Sequence, residues 1–254
     1  FSFTAVGCTA TRSAPHVAAA AAPRAESREG RAVGSAFPSK ELAGAASRGA
    51  RVVYAALGTM ALADRWGKDL GSLSGGNVKP GVDGKAFCQH VWGALFEAMR
   101  ELGDGYHCVV SVGWQEDALD FLEGASEEVR LAQVPSNVTL RASVQQVEML
   151  EAHAHAFVSH AGFNSLQESL IAGVPLVAVP QAVDQPANAQ KIEANGWGLA
   201  FLRPMETITP VALASALRAV SLEESPFSVA VAAAGATLRG GEARAADELL
   251  AMVC

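Results

Sequence analysis

From Arg51 onward the chain alternates short β-branched or alanine-rich runs with stretches of helical periodicity, and this alternation constrains its fold more than any other feature. "RVVYAA", "HCVVSVG", "NVTLRA", "AFVS", "PLVAV" and "GLAFL" read as strands. "GKAFCQHVWGALFEAMREL" carries Phe87, Val91, Leu95, Met99 and Leu102 at steps of three and four, a helical stripe. Further helices are expected near Glu116 to Leu122, over "QVEMLEA", from about Asn164, and over "QPANAQKIEAN". Two more follow Thr209 and Pro226, the last broken at Gly240 and Gly241. Strands separated by helices pair in parallel, because each crossover returns the chain to the same end of the sheet. The expected class is α/β, a Rossmann-like doubly wound parallel sheet.

Half of the 254 residues are hydrophobic, enough for a sizeable core. Residues 1–49 are rich in Ala, Ser and Arg without a sustained apolar period. They are expected to be a linker or disordered leader, a composition that also fits an organelle transit peptide. Residues 50–254 are then one domain, with a glycine-rich insertion at 61–83, either a functional flap or disordered. The chain begins with Phe1 rather than Met, which suggests a fragment. A net charge of −7 argues against nucleic acid or an acidic membrane as partner. Cys8, Cys88, Cys108 and Cys254 lack metal-site or disulfide spacing, and no apolar run reaches the roughly 18–20 residues of a membrane span. A cytoplasmic protein with small-molecule or protein partners is the expectation.

In a doubly wound sheet, ligands bind beyond the carboxyl ends of the strands. "VSHAGFNS" leaves a strand near Ser159 and enters a helix near Asn164, whose first N–H groups and partial positive charge make an anion seat. His160 can donate a hydrogen bond to a phosphate oxygen. Gly162 lets the backbone approach, and Asn164 and Ser165 add donors. Glu168 shares the face of Asn164 and Ser165 and can accept both hydroxyls of a ribose. The next turn, "PQAVDQ", presents Asp184 and Gln185, suited to sugar hydroxyls. Lys191 is the one basic side chain between Phe157 and Ile192, so dipoles rather than lysines would hold a diphosphate. The alternative for Ser165 to Glu168 is a capping box that satisfies the helix end and binds nothing.

His160, Gly162, Asn164, Ser165, Glu168, Pro180, Asp184 and Gln185, with Gln146 upstream, resemble in order and spacing the signature of family 1 UDP-glycosyltransferases of the two-domain GT-B type. "YAALGTM" is similar to the first strand and phosphate-contacting turn of their donor-binding domain. The resemblance implies that His160, Asn164, Ser165 and Thr59 contact the diphosphate, Glu168 the ribose, and Asp184 and Gln185 the transferred sugar. It further implies transfer of a hexosyl group from a UDP-sugar to an acceptor nucleophile with inversion, with the UDP-sugar as co-substrate and no metal or other cofactor. Ser143 and Gln145 stand where the family places a base-stacking Trp and a Pro. The family's acceptor-binding domain, with its catalytic base, has no counterpart here, so a small-molecule or lipid acceptor would be met through an absent N-terminal domain or a partner subunit. A non-catalytic nucleotide-sugar-binding subunit is the alternative, and an epimerase on the same fold a third.

His153 and His155 lack a third ligand nearby and read as surface or packing residues. Trp66 and Trp114 suit packing, or the lining of an acceptor channel. No G-x-G-x-x-G follows "ALGTM", which argues against NAD or FAD.

Overall fold

A computed structural model describes residues 36–241. Six strands, β1 (Arg51–Ala56), β2 (Tyr106–Ser111), β3 (Val138–Arg141), β4 (Ala156–Ser159), β5 (Leu176–Ala178) and β6 (Gly198–Ala200), form one sheet in the order β3-β2-β1-β4-β5-β6. Every neighbouring pair is parallel. The order reverses between β1 and β4, which pair Val53 with Ala156 and Ala56 with Ser159. A crevice at the carboxyl ends of those two strands is the topological switch point of the fold.

Because helices cover both faces, successive residues of a strand are buried in opposite directions. Val53, Ala55 and Leu57 enter one core, shared with α2 (Gly84–Leu102) and α8 (Pro210–Val220). Val52, Tyr54 and Ala56 enter the other, shared with α4 (Gln146–Ala152), α5 (Phe163–Ala172), α6 (Gln185–Ala194) and α9 (Pro226–Leu238). Tyr54 stacks on Phe157 with ring centroids 5.0 Å apart. Helix α2 starts where Asp83 accepts a hydrogen bond from Ala86 N and buries Phe87, Val91, Leu95 and Met99, the stripe read from the sequence. Each such side chain contributes about 1.5–3 kcal/mol by leaving water. Among the described residues no helix is long and apolar enough to cross a membrane.

The structure departs from the sequence reading at four places. The domain begins before residue 50. Ser39–Ser47 form α1, which buries Leu42 and Ala45 beside Val52 and Tyr54, while Arg141 clasps Glu41 at 2.7 Å and the Ala36 carbonyl at 2.8 Å. Only two buried positions in nine residues leave no visible apolar period, and residues 1–35 of the expected leader lie outside the described residues.

Residues 61–83 are packed rather than disordered. A π-helical turn (Met60–Asp64) buries Ala61 and Leu62, and Leu70 and Val78 reach the core. The helix expected at 116–122 is a run of turns closed by bonds such as Ala118 N to Gln115 O and Leu122 N to Leu119 O. Asp117 and Asp120 there are drawn to Lys85 at 2.8 and 2.6 Å, and α3 (Glu127–Leu131) follows instead. A short α7 (Pro204–Thr207) precedes α8, while α9 (Pro226–Leu238) gives way to a turn at Arg239 and Gly240, where the sequence reading placed its break.

Candidate functional site: the crevice between β1 and β4

β1 runs into Leu57 and Gly58, whose φ of 75° is a left-handed conformation that glycine adopts without steric cost. Thr59 follows, exposed, at the start of the π-helical turn. Across the crevice β4 leads to His160, Ala161 and Gly162, and α5 begins at Phe163. The His160 ring is lodged between the two glycines. A Cβ built on Gly58 would lie 2.6 Å from its Nε2, and one built on Gly162 2.4 Å. Burial holds the His160 pKa down to about 4, against the weaker pull of the Ala56 carbonyl and the Asp184 carboxylate toward the charged form. The ring is therefore neutral at pH 7, with one N–H to donate.

Gly162 is the N-cap of α5 and no side chain caps the helix. The capping-box alternative is thereby overturned. Ser165 lies inside the first turn, and its Oγ accepts from Gln146 Nε2 at 3.1 Å. The same amide donates to Glu168 Oε2 at 2.7 Å. Since Ser165 Oγ is an acceptor toward Gln146, its own hydroxyl proton is available to a ligand, as is the second carboxylate oxygen of Glu168. Asn164 and Phe163 are exposed at the same helix end. The first-turn N–H groups, Ser165 and His160 are donors that an anion could meet, and Glu168 offers an acceptor to hydroxyl groups on the α4 side.

On the other flank, Asp184 stands at the N-cap position of α6 without a side-chain capping bond, and its carboxylate accepts from Asn188 Nδ2 at 2.8 Å. Gln185 is buried, its carbonyl oxygen accepting from Gln181 N at 2.8 Å and Ala182 N at 3.3 Å, so the amide nitrogen is the end left for a ligand. Lys191 lies about two turns further along α6. Ser143 and Gln145 are exposed after β3, with Gln145 the N-cap of α4.

Two residues that the sequence reading passed over hold these turns together. Asn188 Nδ2 also donates to the Ala161 carbonyl at 3.0 Å, which links the α5 and α6 turns. Gln181 Nε2 donates to the Leu57 carbonyl at 2.7 Å, which links the β5 turn to β1. Both link turns in left-handed conformations, Ala161 and Val183 each having φ of 61°, a cost of about 1–2 kcal/mol per residue. The four-residue spacing of Asp184 and Asn188 is the one sequence signal that could have revealed the first link.

The remaining candidates fall outside the crevice. Trp66 donates to Asp117 Oδ1 at 2.8 Å and packs on Trp92, a loop-packing role, while Trp114 is 37 % exposed after β2. His155 Nδ1 accepts from Val52 N at 3.1 Å, and the His153 ring lies 5.6 Å from that of Phe37. Among the described residues no group of three or more His, Cys, Asp or Glu side chains comes together to hold a metal.

An all-parallel sheet whose strand order reverses between β1 and β4 defines a Rossmann-like doubly wound domain. Residues 118–241 match the family described as "Erythromycin biosynthesis protein CIII-like, C-terminal domain". NDP-glycosyltransferase YjiC of Bacillus subtilis (strain 168) is 39 % identical over 124 residues, 48 % of this chain and 31 % of that protein. Putative UDP-glucuronosyltransferase ugt-48 of Caenorhabditis elegans is 46 % identical over 71 residues, 27 % of this chain and 13 % of that protein. The solved glycotransferase of kitacinnamycin superposes with a TM-score of 0.57 at 26 % identity, over 79 % of this chain and 43 % of its own. The chain thus carries a domain of the GT-B fold that is similar to the C-terminal part of these glycosyltransferases. It spans less than half the length of these relatives.

Proposed function

We propose that this chain is the donor-binding part of an inverting glycosyltransferase that moves a hexosyl group from a UDP-sugar to an acceptor nucleophile. The observation that carries the reading is the uncapped start of α5 at the switch point, flanked by Gln146 and Glu168 on one side and by Asp184 and Asn188 on the other. In this reading the diphosphate sits on the first turn of α5, held by the N–H groups, Ser165, Asn164 and His160, with Thr59 facing it from β1. The ribose hydroxyls meet Glu168, and the sugar extends toward Asp184 and Gln185. Uridine as the base is supported by the name of the C. elegans relative.

The chemistry follows from the charge. As the bond between the anomeric carbon and the diphosphate oxygen breaks, negative charge gathers on the leaving phosphate, where fixed dipoles stabilise it without having to reorient. The acceptor attacks from the opposite face and yields its proton to a base. That base is assigned to an acceptor-binding domain or partner subunit, through which a small-molecule or lipid acceptor is met. No metal is required in this scheme.

Titration calorimetry of the chain with UDP, UDP-glucose and the other nucleoside diphosphates tests the reading, together with Glu168→Gln and His160→Ala. Hydrogen bonds to charged groups are worth about 1.5–3 kcal/mol, so each variant is expected to weaken UDP binding by about 10- to 100-fold. A folded wild type that binds no nucleoside diphosphate would refute the reading.

A further inference from the structure

The packed segment between β1 and α2 reaches well beyond the strand it leaves. Its base is pinched by the antiparallel bridge of Asp69 with Asp83, and Asp69 Oδ1 accepts from Gly71 N and Gly81 N, each at 2.9 Å. Inside it the Ser74 hydroxyl, itself buried, lies 2.7 Å from the Val78 carbonyl and accepts from Val78 N at 3.0 Å. From that base the segment crosses toward the far half of the sheet and is anchored there at three points. The Leu73 carbonyl stands 3.5 Å from Val183 N. Asn77 Nδ2 donates to the Leu202 carbonyl at 2.7 Å, and Lys79 Nζ lies 3.2 Å from Glu206 Oε1. A connection that leaves β1 thus stands over the turns that follow β5 and β6, and its first anchor touches the residue immediately before Asp184.

Val183 is a β-branched residue with φ of 61° and is 72 % exposed, beside Leu73, which is 40 % exposed. Neither contributes to a core, and the Asp184 carboxylate follows directly from this turn. The Glu168 and Gln146 pair lies on the α4 side of the α5 N-terminus, so the other end of a diphosphate ester seated there points to the α6 side, against this wall. We infer that residues 70–83 are a specificity element of the donor site, which braces the Val183–Asp184 turn and limits which diphosphate-linked sugar fits beside it. The inference rests on the donor-site reading and adds a determinant lying outside the residues 118–241 matched to the known family.

The two fail separately in one experiment. The whole chain, as wild type, Asn77→Ala and Lys79→Ala, is titrated with UDP, UDP-glucose and UDP-galactose, and each protein's folding is checked by thermal melting. Lys79 is exposed, so its variant folds whatever Asn77→Ala does. If the segment sets sugar selection, UDP affinity stays within about twofold of wild type in both variants. The ratio of UDP-galactose to UDP-glucose dissociation constants then moves by about fivefold or more in Asn77→Ala, or in Lys79→Ala should the first not fold. Unchanged UDP affinity with an unchanged ratio overturns the inference and leaves the donor site standing. A wild type that binds no UDP overturns both.

Discussion

Gly162→Ala isolates the contact on which the anion seat depends. The added methyl would stand 2.4 Å from His160 Nε2, where ordinary van der Waals contact begins at 3.4 Å, so the ring tip must retreat by about 1.0 Å. Behind it lies Gly58, where a Cβ position is only 2.6 Å away, so the ring has little room to slide. The backbone itself raises no objection, since φ −62° and ψ 147° suit alanine, and restricting the unfolded chain returns about 0.4–1 kcal/mol. Overpacking costs about 1–3 kcal/mol, so the net loss is at most about 2.6 kcal/mol. In a domain of this size that lowers the melting temperature by about 2–4 °C per kcal/mol. UDP affinity falls further, by about tenfold or more, because the ring and the first-turn N–H groups no longer converge.

The assay is a double-mutant cycle with His160→Ala, read by thermal unfolding and UDP titration. With the ring gone, Gly162→Ala is expected to be neutral or slightly stabilising. If its cost is the same with and without His160, to within the roughly 0.3–0.5 kcal/mol of additive sites, the wedge argument is wrong.

The depressed His160 pKa has a pH signature. Its unfolded form takes up a proton near the ordinary 6.5, whereas the folded form resists until about 4, so the stabilisation is complete above 6.5 and drains away as pH falls through that window. The loss from this residue is on the order of 3 kcal/mol at most, and buried His107 and half-buried His155, also depressed, add to it with the same sign. Urea unfolding between pH 7.5 and 5 should show a shallower slope for His160→Asn than for wild type; equal slopes would contradict the burial argument. At Gly235, where α9 crosses α5, an added Cβ would lie 2.1 Å from the Leu170 carbonyl, a backbone atom that cannot swing aside. Gly235→Ala is therefore expected to cost about 3 kcal/mol or more in thermal unfolding while UDP affinity in the folded fraction is unchanged; a melt like wild type would refute it.

Strands of Val, Ala and Leu buried on both faces leave continuous apolar runs, which is why every strand of the sheet, and α2 and α4 with it, could be read directly. The false helix at 116–122 shows where such reading stops. Leu119 is buried and Leu122 half-buried three residues on, a helix-like step, but the carboxylates of Asp117 and Asp120 answer to Lys85, Gln89 and Trp66, which lie far away in sequence. Conversely, α3 buries no residue, so its formation left no period to detect. Thr59, His160, Gly162 and Asp184 stand at strand-to-helix turns, with Asn164, Ser165 and Glu168 in the first two turns of α5, places that the alternation of strands and helices already implied. Gln181 and Asn188 could not, since a lone amide in a polar helix start has no signature until its distant carbonyl is known. Gln185 was read as a ligand group, yet half of its amide serves the turn.

The strand order also governs how the chain can be assembled as it is made. β1 finds β2 about fifty residues on, but its other edge waits for β4, about a hundred residues on, at Ala156 to Ser159. Until the ribosome has delivered that strand, the middle of the future sheet presents an open, apolar edge, in a topology whose long-range pairings are intrinsically slow to form. The crevice can therefore close only after the three strands of the other half have been made. Its two lips come from segments that spend most of synthesis apart, and a nascent chain halted before β4 would hold half of the sheet and none of the anion seat.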